Sequence, residues 1–159
     1  MNYDLIKVVH VLAAVVAVGP MIFAPWLSRR LKNCHADNKA WLLSGLNTTD
    51  TYYNIAGWVL ILTGIGMFYL QDWHRIFQLW FILSVVIFIF DSIVEKRIRD
   101  PANDALANLQ PSDSQWSENT DRLHQAVTAQ MLSTVLIFVI MLVHSQLNFN
   151  LLDATPFSR

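Results

Sequence analysis

The chain has 159 residues, 54% of them hydrophobic and 14% charged, with a formal net charge of −1 and a mean hydropathy of +0.37. A soluble domain carries about 25% charged residues, so the apolar side chains must face lipid as well as one another, within a length that suits a single domain. Near-neutral charge without a basic stripe argues against nucleic acid as a partner, and the lone cysteine, Cys34, excludes an internal disulfide and any multi-cysteine zinc or iron–sulfur site.

The first apolar run is Leu5–Leu27. About 20 residues suffice to cross a hydrocarbon core of ~30 Å. The run is longer than a secretory signal core, Met1-Asn-Tyr-Asp4 places no positive charge before it, and no Ala-x-Ala site ends it. It therefore reads as a retained span. Pro20 should loosen or kink this helix near its middle, and Pro25 should help to stop it. A basic loop, 28–52, follows, with an interfacial turn at Trp41–Leu46. The second span is Tyr53–Leu70 and the third Ile76–Val94, and the tight turn Gln71-Asp72-Trp73-His74-Arg75 makes them antiparallel neighbours. The loop 95–123 is polar, with breakers around Pro101 and Pro111 and one short surface helix near Leu106 and Leu109. The fourth helix covers 124–145, and 150–159 reads as a tail. Runs that are apolar all round suit lipid-embedded helices rather than strands. The expected architecture is all-α, an integral membrane four-helix bundle.

Eight lysines and arginines lie in the loops 28–52 and 95–123, against Lys7, Arg75 and Arg159 on the other side. The positive-inside rule makes those loops cytoplasmic and the bundle N-out and C-out, in the cell inner (plasma) membrane. Tyr3, Tyr69, Trp73 and Trp80 fit an outer aromatic belt, and Trp26, Trp41, Tyr52 and Tyr53 an inner one. Small residues on helix 1 (Ala13, Ala14, Ala17, Gly19) and helix 2 (Ala56, Gly57, Gly64, Gly66) predict that these two helices approach closely.

An ionisable residue inside a span is a functional hypothesis by default, and His10 is the first. It lies about 7 Å below the outer surface at 1.5 Å per residue, on a face with Ala14, Ala17 and Met21. Two readings stand: a hydrogen bond across helices to a Ser, Thr or Gln, or a ligand to a cofactor or metal. His144, near the outer end of helix 4, comes out within about 6 Å of the same depth. Two imidazoles on facing helices suit bis-histidine haem b or a metal, with Met141, one turn deeper, as an alternative ligand and His74 as a third outer histidine. Their plainer roles are a polar helix end for His144, packing for Met141 and a solvated turn for His74. Cys34 and His35 read as loop residues and His124 as an interfacial one. Asp91 is the one acidic residue clearly inside an apolar run. It either pairs with an Arg or Lys below it or serves as a proton or cation site. No Walker loop, nucleophile elbow, HExxH or dinucleotide fingerprint is present, so nucleotide and hydrolytic chemistry have no visible apparatus.

Lys7-Val-Val-His10-Val-Leu-Ala-Ala, with Gly19 and then Arg29-Arg30, resembles the first helix of the predicted integral membrane proteins of domain-of-unknown-function family 2269. More distantly, the chain is similar to bacterial membrane protoporphyrinogen oxidases and to CopD-type copper-resistance proteins. The oxidase resemblance implies haem binding at His10. It also implies a lysine early in helix 3, where this chain has Ile76-Phe-Gln-Leu-Trp-Phe81 and no lysine. The expected function is thus a small membrane protein binding haem b, or otherwise redox-linked, through His10 and His144. The alternatives are a non-enzymatic membrane module (metal handling, transport accessory or partner binding) and an oxidase-like enzyme. The expected partners are the lipid bilayer with a membrane redox partner or a second copy of the chain.

Overall fold

A computed structural model describes residues 3–71 and 73–143, without side-chain detail at 74 and 75. No strand occurs among the described residues. The helices are α1 (Tyr3–Lys32), α2 (Ala36–Tyr69), α3 (Leu79–Val94), α4 (Asp100–Asn108) and α5 (Trp116–Leu142). A 3₁₀ turn, His74–Phe77, leads into α3, and a π-helical segment, Glu95–Arg99, joins α3 to α4 without a break. Three helices, α1, α2 and α5, are long and apolar enough to cross a membrane, and α3 is shorter at 16 residues.

The stretches expected as loops are largely helical. α1 continues through Pro20 and Pro25 to Lys32, so neither proline ends it. A proline costs one hydrogen bond, but lipid offers the remaining backbone groups no partner outside the helix. Trp41–Leu46 is helix interior, not a turn, because Leu42, Leu43 and Leu46 share a buried face. α5 starts at Trp116 rather than 124, where Trp116, Thr120, Leu123 and Val127 form a buried stripe at three- and four-residue spacing. The π segment has a local cause. Pro101 lacks the N–H that would close on the carbonyl of Arg97, and the turn ahead of it widens.

α1 packs on α2 and α5, and α5 also carries α3 and α4. The densest packing lies at the basic end, where Leu27, Leu31, Leu42, Leu46, Leu106, Leu123 and Val127 interlock. Lys32 pairs with Asp121 there at 2.6 Å. Lys39 Nζ donates to the carbonyls of Ala107 and Leu109 at 2.9 and 2.6 Å and so holds the end of α4 against α2. Toward the 70–78 turn the packing thins. α2 buries nothing beyond Ala56, while Trp58, Leu62, Ile65 and Tyr69 stand exposed, as side chains facing acyl chains should. At 1.5 Å per residue α1 is about 45 Å long, more than a ~30 Å hydrocarbon core.

The expected approach of helices 1 and 2 is present. A Cβ at Gly64 would stand 3.8 Å from the His10 ring, and one at Gly66 3.7 Å from Ile6. Gly19 and Gly57 differ: a Cβ there would meet nothing within 4 Å. Gly57 faces a cavity instead of a helix.

Candidate functional site

That cavity is a half-open cleft of about 380 Å³ between α2 and α3, backed by α1 and α5. α2 and α3 meet at its two ends. At the turn end Phe68 and Phe81 pack edge to face, 4.6 Å between centroids. At the basic end the Tyr53 hydroxyl donates to Asp91 Oδ2 at 2.5 Å. Between these closures the walls are apolar, with Gly57, Leu60, Ile61, Val85, Phe88 and Ile137 among them.

The polar group near the turn end is His10. Its Nδ1 lies 2.7 Å from Thr63 Oγ1, and the Thr63 hydroxyl sits 2.6 Å from the carbonyl of Val59. A threonine has one hydroxyl proton, and a carbonyl can only accept. The proton therefore goes to Val59, and Oγ1 accepts from the ring. That geometry puts the His10 proton on Nδ1 and leaves Nε2 as a lone pair on an imidazole that lines the cleft. Of the two readings open for His10, the bond across helices is present, and it leaves the second nitrogen available.

The other predicted ligands divide. Met141 lines the same cleft as His10. His144 lies outside the described residues, as does the tail. His74 opens the 3₁₀ turn, but its side chain is likewise outside the description. No group of three or more His, Cys, Asp or Glu that could hold a metal ion occurs among the described residues. His124 is more than an interfacial residue: its Nδ1 meets Ser28 Oγ at 2.9 Å, and Ser28 donates to the Pro25 carbonyl at 3.0 Å. The histidine–hydroxyl–carbonyl arrangement of His10 thus recurs between α5 and α1.

Asp91 does not pair directly with a basic residue below it. It is 2% exposed and held by Tyr53, which is buried rather than part of an interfacial belt. Gln130, fully buried on α5, approaches Asp91 and accepts from Arg99 Nη1 at 3.0 Å. Arg99 is 4% exposed and meets Asp50 at 2.7 Å as a charge contact rather than an aligned hydrogen bond. Glu95 joins from the turn after Asp91. Burial, then the neighbouring Asp50, pushes the Glu95 carboxyl above the usual carboxylate range. The π segment aims Glu95 and Arg99 inward together, and both are buried. Sequence reasoning singled out Asp91. It missed Tyr53, Thr63, Asp50 and Arg99, whose only signal was a polar group one or two turns from another on a neighbouring helix.

Three helices long and apolar enough to cross a bilayer, bundled with a fourth around an apolar cleft, define an integral membrane protein of the all-helical class. More narrowly, the chain belongs to the family described as Predicted integral membrane protein (DUF2269), whose family model matches residues 4–145. No curated protein matches the chain. No solved structure matches it.

Proposed function

We propose that this is a small membrane binding protein. It admits an apolar, membrane-soluble molecule through the gap between α2 and α3 and anchors it by a hydrogen bond to Nε2 of His10. The observation that carries this reading is the contact of His10 Nδ1 with Thr63, whose own proton goes to Val59, so that Nε2 is left as an acceptor on a residue that lines an apolar cleft. A binding site of this kind is mostly apolar with few placed polar groups. The basic end faces the cytoplasm in this reading, with both termini outside the inner membrane. The test is the uptake of N-phenyl-1-naphthylamine, an apolar probe with one N–H donor, by protein in nanodiscs, corrected for protein-free discs. Wild type should bind it saturably, His10→Ala more weakly, and Gly57→Leu, which fills the cleft, not at all. Equal uptake by wild type and Gly57→Leu would overturn the reading.

The bare Nε2 also favours a second reading, in which the occupant is haem b. His10 and Met141, both on the cleft, would hold it. Haem would supply one-electron chemistry. A Soret band with split α and β bands on reduction, lost in His10→Ala, is expected. A colourless protein from cells with ample haem would end this reading.

A further inference from the structure

We propose that the cleft selects lipophilic organic cations. This deepens the cleft-binding reading and rests on it. It also opposes the haem reading, because haem b carries carboxylates.

The walls come first. Tyr53, Phe68, Trp80, Phe81, Phe88 and Phe138 all line the cleft. Aromatic faces attract cations, by about 0.5–1 kcal/mol at exposed sites and about 2 kcal/mol or more once water is excluded. No lysine or arginine lines the cleft among the described residues, and His10, its one basic group, is the neutral tautomer derived above.

The charge beneath the cleft comes second. Ser84 and Phe88 line it, and Asp91 follows on the same face of α3 at spacings of four and three. Asp91 is therefore the next layer down, separated from the cleft by the Tyr53 hydroxyl. The 2.5 Å contact between them has the length of a bond from a hydroxyl to an ionised oxygen. Gln130 approaches Asp91 on its far side, although neither Asp91 Oδ1 nor Gln130 Nε2 makes an aligned hydrogen bond among the described residues. The charged groups around it are Asp50 from α2, Glu95 from the same face, and Arg99 from the π segment. Arg99 is the one buried cation among the described residues, and Lys96, exposed to solvent, reaches Glu95 at 3.8 Å and Asp100 at 2.8 Å. Four carboxylates, Asp50, Asp91, Glu95 and Asp100, against two cations, Arg99 and Lys96, leave a negative field. In a low-dielectric cleft such a field reaches several ångströms further than it would in water. A molecule with an apolar body and one delocalised positive charge satisfies the aromatic walls, the acidic floor and the route in from lipid at once.

The experiment uses two probes of matched shape and opposite charge, tetraphenylphosphonium and tetraphenylborate. They are dialysed to equilibrium against the full chain in zwitterionic nanodiscs and corrected for protein-free discs. The cation should bind at least about tenfold more tightly than the anion, roughly one desolvated charge contact. Asp91→Asn should remove most of that preference, and Asp91→Glu should restore it. Helicity and elution volume check that both variants fold, and if Asp91→Asn does not, the Glu variant and Tyr53→Phe carry the test. Gly57→Leu should abolish binding of both probes. Equal binding of cation and anion, both lost in Gly57→Leu, would overturn the cation proposal while leaving the cleft reading intact. No saturable binding of either ion would also overturn the cation proposal, and binding that Gly57→Leu leaves untouched would overturn both.

Discussion

Replacing Thr63 by Val should cost about 1–2 kcal/mol and release the tautomer of His10. Valine keeps the shape of threonine and substitutes a methyl for the hydroxyl, so packing is conserved and only the acceptor at 2.7 Å disappears. A hydrogen bond between membrane helices is worth about 0.6 kcal/mol on average and up to about 1.7 kcal/mol. A donor left buried without its partner costs about 1–3 kcal/mol. His10 is only partly buried, which keeps the figure in the lower part of that range. Thr63→Ser, which retains the hydroxyl, should cost under about 0.5 kcal/mol. The assay is unfolding in graded sodium dodecyl sulfate followed by helicity, run as a double-mutant cycle with His10→Ala. The loss from Thr63→Val should largely vanish in the His10→Ala background. Histidine nitrogen chemical shifts should report the Nδ1–H form in wild type and a mixture in Thr63→Val. If Thr63→Val is as stable as wild type, or costs the same with and without His10, the hydrogen-bond assignment and the bare Nε2 derived from it are wrong.

Gly57→Leu should fold and be slightly more stable than wild type, by up to about 1 kcal/mol from helix propensity, because a Cβ there meets nothing within 4 Å. A large loss of stability on thermal unfolding would mean that the cleft is closed in the bilayer. Arg99→Ala should be severe, about 3–5 kcal/mol, since it strands Asp50 and Gln130 in a buried site; a melting temperature within a few degrees of wild type would contradict the network. Glu95 should make the protein more stable as pH falls from 7 toward 5. Its folded-state pKa is raised, so the stabilisation is complete below the ordinary carboxylate value and is lost as pH rises through the folded one. In Glu95→Gln that slope should flatten, and a slope of opposite sign in wild type would refute the assignment. Burial raises the Cys34 thiol, so maleimide labelling at neutral pH should be slow, quicken with alkali, and proceed only from the cytoplasmic face; labelling of intact cells by an impermeant reagent would invert the proposed topology.

Much of the fold is legible in the sequence because lipid leaves few choices. Long apolar runs must be helices, and small residues at Ala13, Ala17, Gly64 and Gly66 had to let backbones meet. The boundaries are less legible. Residues 28–52 and 95–123 look like loops on hydropathy alone, yet an amphipathic helix in water is polar on one face by necessity. Leu42, Leu43 and Leu46 carried the signal in their spacing rather than in their mean polarity. Proline read as a stop at Pro25 and as a breaker at Pro101. The helix instead passes through the first and widens before the second, since neighbouring turns absorb one missing hydrogen bond. The site was half visible. His10 and Asp91 stood out because a titratable side chain in an apolar run is costly. Thr63 and Tyr53, which decide what those two can do, are ordinary residues in a span, and pairing across helices is not written in either helix alone.

The uneven packing of the bundle has a consequence for how it comes apart. In the proposed placement its basic end, with Leu31, Leu46, Leu106 and Leu123 interlocked, lies beyond the hydrocarbon and is held together by water's rejection of apolar surface. The end around the cleft has no such drive, because acyl chains solvate Trp58 and Leu62 as well as any neighbour would. The two ends should therefore respond to different solvents. Urea should melt the contacts of α4 while the cleft persists, and a short-chain detergent should part α2 from α3 while the basic end stays closed.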